Sequence, residues 1–181
     1  MAKERGRAIL MLHGLCSSQL EVRLFARALA DAGFTVTVPV LAGYCAAEAD
    51  PADTPTPPDY RRWIADAAAN VDELATTHSE VTICGISLGA TLALAVAAER
   101  AADLDGLALI STALDFDGWN VSPFRFLRPL VLYTPLGWFY RYRETTPYGV
   151  KNEEASHSQI FVCRDPVRAW SELWPMLWSF Q

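Results

Sequence analysis

No stretch of this chain approaches the roughly 20 consecutive apolar residues that a membrane-spanning helix needs. Its 51% hydrophobic content is broken everywhere by polar residues, the pattern of a chain that buries a core and not of one that enters a bilayer. Positive charge is also short. Fifteen Lys and Arg stand against 21 Asp and Glu, a net charge of −6. That balance excludes a protein that tracks nucleic-acid phosphates, and it weighs against docking on anionic lipid. Cysteine is sparse: Cys16, Cys45, Cys84 and Cys163 form no CxxC pair, and no histidine stands at zinc-finger spacing from them. Reduced, partly buried thiols are expected, with no metal. Repeats and low-complexity tracts are absent. Lys3, Arg5 and Arg7 precede the apolar run Ala8–Leu12, but the run is shorter than a secretory h-region and ends in His13-Gly14, not in a cleavage site. The expected location is therefore cytoplasmic.

With 181 residues, the chain has the size of one domain. Its first two-thirds alternate two periodicities. Residues 7–12 read as a buried strand. Residues 20–32 read as a helix with Leu24, Phe25, Ala28, Leu29 and Ala32 on its apolar face, stopped by Gly33. Residues 34–38 are β-branched and strand-like. Residues 42–59 carry Pro51, Pro55, Pro57 and Pro58 and read as a long loop. Asp59 opens a second helix with Trp63, Ile64, Ala67, Ala68, Val71, Leu74 and Ala75 at helical spacing. A strand over 81–84, a helix over 88–100 that is apolar nearly all round, and a strand over 107–110 complete the alternation. The fold class that follows is α/β: an open, mostly parallel, doubly wound sheet with helices on both faces.

The pattern breaks after residue 114. Residues 115–150 hold ten of the chain's 20 aromatics, among them Trp119, Phe124, Phe126, Tyr133, Trp138, Phe139, Tyr140 and Tyr148. Two readings stand: a satellite core under a loop insertion, or an aromatic-rich cap that walls an apolar pocket. The expected division is a core over 1–114, a cap-like insertion over 115–164 and a C-terminal helical segment over 165–181. Asp165-Pro166 supplies that segment's N-cap and first helical position, and Pro175 would kink or end it.

The residues that carry chemistry begin with Gly85-Ile86-Ser87-Leu88-Gly89. Composition alone produces some Gly-x-Ser-x-Gly in about one chain in twenty of this length, so the weight rests on context. The pentapeptide lies between an expected strand and an expected helix, the setting of a nucleophile elbow. So tight a turn needs Gly85 and Gly89 to lack side chains, and it lifts the Ser87 hydroxyl to the positive end of a helix. The competing reading is an ordinary glycine-rich turn. The second signal is His13-Gly14-Leu15, directly after the first strand. In a doubly wound sheet the first and third strands are neighbours at the switch point where ligands bind. The backbone N–H groups of Leu15 and Leu88 would then converge on one oxyanion. His13 is expected to stabilise that loop, not to act as a base.

Leu12-His13-Gly14-Leu15, Gly43 at the end of the second βα loop, the 85–89 elbow and Pro147-Tyr148-Gly149 resemble the bacterial carboxylesterase and monoacylglycerol-lipase-like branch of the α/β-hydrolases. The resemblance spans about residues 7 to 150. It implies that Ser87 is an acyl-accepting nucleophile, that Leu15 and Leu88 form the oxyanion hole, that the substrates are carboxylic esters of small or acyl-chain alcohols, and that no cofactor is used.

The family pattern goes on to a strand followed by Asp and a strand followed by His, and the chain stops before either. His157 is the only histidine after Ser87, and no strand-turn signal presents it. His78 is expected at a solvated helix end. Asp115 and Asp117 follow the fourth strand, where an acid or a solvated turn are equal readings. Base and acid thus stay unlocated. The core looks C-terminally shortened, by a truncated reading frame or as a true short variant whose Trp170–Phe180 segment covers the sheet edge. Left open, the edge at 107–110 would promote homo-oligomers. Three functions follow: an ester hydrolase, a weakly catalytic fragment or pseudoenzyme that binds an apolar ligand or partner, and an acyl transferase.

Overall fold

A computed structural model of the chain describes residues 6–15, 17–44, 58–114 and 176. Within them the order is β1 (Arg7–Leu12), α1 (Gln19–Asp31), β2 (Thr35–Thr37), α2 (Tyr60–Thr77), β3 (Glu80–Ile86), α3 (Leu88–Arg100), a 3₁₀ turn (Ala101–Asp103) and β4 (Gly106–Ile110). The strands form a parallel four-stranded sheet in the order β2-β1-β3-β4. This is the α/β class expected, with β1 and β3 adjacent. The register sets Leu12 beside Gly85 and Gly85 beside Leu109.

Alternation along β1 divides the core between two faces. Ala8, Leu10 and Leu12 join Val81, Ile83 and the buried sides of α2 and α3: Tyr60, Trp63, Ala67, Val71 and Leu74 from the first, Leu88, Leu92, Ala93 and Val96 from the second. Ile9 and Met11 face the other way, against Val22 of α1 and Cys84 of β3. The even apolarity of α3 is explained by burial: Leu88 to Ala93, Ala95 and Val96 are all enclosed. Met176, the one described residue of the 165–181 segment, is buried in the α2–α3 layer.

Local chemistry fixes the ends. Ser18 caps α1 by accepting from Leu20 N–H at 3.3 Å, and Asp59 caps α2 by accepting from Arg61 N–H at 2.8 Å. Gly33, at φ +90°, takes the left-handed position after α1. Gly43, at φ +81°, is the third residue of a turn closed by Tyr44 N–H on Leu41 C=O at 2.9 Å. The Trp63 indole donates to Ala42 C=O at 2.7 Å and ties that turn to α2.

Two expectations are corrected. On α1, Leu29 packs against the sheet as expected, but its companions there are Val22 and Ala26, and the expected Leu24 and Phe25 lie off the apolar face. Leu24 is 76% and Phe25 41% exposed. The helix has two apolar stripes, and its rotation is set at the N-terminal end, where Gln19 bonds Val38 C=O and Glu21 bonds Gly14 N–H. His78, expected to be solvated, is half-buried as the C-cap of α2, its Nδ1 lying 2.9 Å from Thr77 Oγ1 and 3.2 Å from Leu74 C=O. The aromatic segment 115–150, the boundaries at 164 and 165, Cys16, Cys45 and Cys163 lie outside the described residues.

Candidate active site

The carboxyl ends of β1 and β3 meet where the chain reverses its winding: β2 lies on one side of β1 and β3 on the other. Open α/β sheets bind ligands at such points. Ser87 stands there, between the last residue of β3 and the first of α3. Its backbone is at φ 52°, ψ −114°, a left-handed conformation that costs a non-glycine residue about 1–3 kcal/mol. Its N–H donates to Ile110 C=O at 2.9 Å, and its C=O accepts the first helical bond, from Thr91 N–H at 3.1 Å. The Thr91 hydroxyl is 3.3 Å from the same carbonyl and donates to Ala113 C=O at 2.8 Å. The backbone of Ser87 is thus held by β4 and α3. Its hydroxyl is left out of helix capping, although serine is a preferred capping residue. The side chain is partly exposed.

Both glycines of the pentapeptide are sterically required. A methyl on Gly85 would overlap the carbonyl of Gly89 and the nitrogen of Ala90. A methyl on Gly89 would overlap the Leu12 carbonyl and lie 2.7 Å from the His13 carbonyl oxygen. The second approach has a further meaning: the first turn of α3 rests directly on the end of β1. The loop that carries Leu15 and the helix start that carries Leu88 are therefore neighbours. Leu88 is the first residue of α3, where backbone N–H groups have no intrahelical acceptor. Its side chain is fully buried, and that of Leu15 packs partly buried on the same core.

His13 is fully buried, its ring edge-on to Tyr44 at 5.2 Å between centroids. Nδ1 lies 3.0 Å from Gly14 C=O. A carbonyl only accepts, so Nδ1 carries the proton and Nε2 is bare. Nε2 is buried with no hydrogen-bond partner among the described residues. Burial pushes the pKa down to about 4, against a smaller upward pull from the bond to Gly14. The imidazole is neutral at physiological pH. Gly14 N–H is held in turn by Glu21 Oε2 at 2.6 Å. Glu21 went unnoticed in the sequence, although Ser18-Gln19-Leu20-Glu21 has the S-x-x-E spacing of a capping box. Nearby, the buried Cys84 thiol has a raised pKa because of desolvation, which leaves it protonated and unreactive.

The structure therefore brings Gly85, Ser87, Leu88 and Gly89 up against the 12–15 loop. Asp115, Asp117 and His157 lie outside the described residues. Among the described residues, no group of three or more His, Cys, Asp and Glu is placed to hold a metal, and no helix is long and apolar enough to cross a membrane.

The sequence of residues 7–158 matches the family model for the alpha/beta hydrolase fold, and the chain belongs to that family. A thermostable monoacylglycerol lipase of Bacillus sp. (strain H-257) is 30% identical over 107 residues, 59% of this chain and 41% of the lipase. The chain thus aligns with about two-fifths of that relative's length. Among solved structures, one from work on the metagenome-derived lipolytic enzymes LipS and LipT superposes with a TM-score of 0.63 at 22% identity, over 96% of this chain and 66% of the other. One from work on carboxylesterases of the ammonia-oxidizing thaumarchaeon Nitrososphaera gargenis gives 0.63 at 15% identity, over 100% and 67%. At these identities the superpositions speak for the fold.

Proposed function

We propose that the protein is a serine hydrolase that cleaves carboxylic esters through an acyl-enzyme on Ser87. One observation carries this reading: Ser87 holds a strained left-handed backbone at the switch point of the sheet, with a hydroxyl spared from helix capping. Strain of this kind persists where the surroundings over-determine it, and it clusters at functional sites. The likeness to a monoacylglycerol lipase supports an ester as substrate.

In the proposed reaction Ser87 Oγ attacks the ester carbonyl carbon and gives up its proton to a general base. The carbonyl oxygen becomes an oxyanion held by Leu15 N–H and Leu88 N–H, with the positive end of α3 behind it. The alcohol leaves with a proton, and the acyl group stays on Ser87. Water then attacks the same carbon and releases the carboxylate. A base and an acid are required, and neither is located among the described residues. Without a base the serine is a weak nucleophile near pH 7, and the site would bind esters and turn them over slowly.

The test is hydrolysis of p-nitrophenyl butyrate by the 181-residue chain beside its Ser87→Ala variant. Turnover above background that disappears in the variant is expected. Equal inertness of two folded proteins would sink the hydrolase reading and leave a module that binds an apolar ligand.

A further inference from the structure

We infer that Glu21 is a positioning residue that, together with His13, aims the Leu15 N–H at the reacting oxygen. The inference rests on the oxyanion role proposed above for Leu15 and extends it to a carboxylate on a different element.

Peptide planarity ties the orientations of neighbouring groups together. Each trans peptide holds its C=O and the following N–H in one plane, pointing opposite ways. Two successive peptides are pinned here. The His13–Gly14 peptide donates its N–H to Glu21 Oε2 at 2.6 Å. The Gly14–Leu15 peptide receives the Nδ1–H of His13 on its C=O at 3.0 Å. Fixing that carbonyl fixes the opposite end of the same plane, which is Leu15 N–H. Gly14 joins the two planes and, as glycine, would otherwise be the most freely rotating residue of the loop. His13 alone restrains one of the planes. Glu21 restrains the other, so the joint between them cannot turn.

Glu21 is suited to this work. It sits in the first turn of α1, a rigid element, and its backbone N–H donates to Ser18 C=O at 3.1 Å. The contact is close: a methyl built on Gly14 would stand 3.0 Å from Glu21 Oε2 and 3.3 Å from Oε1. A carboxylate accepting from a backbone N–H makes a bond about twice as strong as a neutral pair. The nearby neutral histidine offers no competing charge.

The test compares wild type, Glu21→Ala and Glu21→Gln. Alanine removes the acceptor, whereas glutamine keeps an amide oxygen at similar reach. Hydrolysis of p-nitrophenyl butyrate should show kcat down at least about tenfold in Glu21→Ala with KM within about twofold. Loss of a whole oxyanion donor costs about 10²–10³ in kcat. Glutamine should restore most of the rate. A purely structural role would lower thermal stability in both variants without separating kcat from KM. Wild-type kcat in Glu21→Ala, or an equal fall in both variants, overturns the inference. Amide hydrogen exchange of Gly14, followed by NMR, gives a readout that needs no turnover. Exchange should accelerate at least about tenfold in Glu21→Ala and stay near wild type in Glu21→Gln; unchanged exchange overturns the clamp. Failure of the hydrolase reading shows differently, as wild type no faster than Ser87→Ala, and leaves the exchange result to decide on Glu21.

Discussion

Acidification should destabilise this fold through His13. Its pKa stands at about 4 in the folded chain, against an ordinary value of 6.5 for a free imidazole. Protonation would put a charge and a second N–H at Nε2, which is buried and meets no acceptor among the described residues. Between those two pH values the unfolded chain binds a proton that the folded chain refuses, so stability rises with pH across the window. The contribution is fully present above about pH 6.5 and lost progressively toward pH 4. A separation of about two and a half pH units, at about 1.4 kcal/mol each, amounts to roughly 3 kcal/mol. That is a large part of the 5–15 kcal/mol or so that holds a typical domain together. Urea denaturation followed by tryptophan fluorescence, at pH steps from 7.5 to 4, would measure it in wild type and in His13→Asn. Asparagine keeps a donor for Gly14 C=O and does not titrate. It forfeits the ring packing on Tyr44, so the variant should be weaker at neutral pH. Carboxylates shared by both proteins cancel in the difference between the two curves. That difference should move by about 3 kcal/mol in favour of the variant as pH falls, with a slope approaching about 1.4 kcal/mol per unit. Parallel curves would refute the reasoning, because they would mean that His13 takes up its proton equally in both states.

Two further predictions concern the scaffold. Gly85→Ala and Gly89→Ala each drive a methyl into backbone that cannot withdraw, and should cost about 3 kcal/mol or more, at or beyond the usual range for overpacking. Gly33→Asn, at a left-handed position with open space around it, should change the urea midpoint little, and a midpoint ordering opposite to this would contradict the packing account. Trp63→Phe removes the indole N–H from Ala42 C=O and should cost about 1–3 kcal/mol. An unchanged midpoint would mean that water serves Ala42 as well.

Most of the scaffold is legible in the sequence because its signals are local. The run 7–12 is bounded by charge before it and His-Gly after it, and it forms β1 over those residues. The helix over 88–100 follows from apolar residues on all sides and begins and ends as read. What escapes a local reading depends on partners distant in sequence. β3 runs on through Gly85 and Ile86, beyond the expected 81–84, because Leu12 pairs with Gly85 on one side and Leu109 on the other. Glycine carries no strand propensity of its own, so only that pairing reveals it. On α1 the larger side chains of Leu24 and Phe25 suggest the apolar face, whereas the anchors at Gln19 and Glu21 turn Val22 and Ala26 toward the sheet beside the expected Leu29. Ser87 could be singled out because its chemistry lies in five consecutive residues. Glu21 could not, since its partner is seven residues away across a turn and its S-x-x-E spacing suggests only a helix cap.

The central claim is that Ser87 is an activated nucleophile. The most direct measurement is the intact mass of the protein after incubation with a fluorophosphonate, followed by peptide mapping and with Ser87→Ala treated alongside. One phosphonyl adduct is expected, on the peptide that contains Ser87, and none in the variant. A folded wild-type chain that stays unmodified at Ser87, or that is labelled only at other residues, would contradict it.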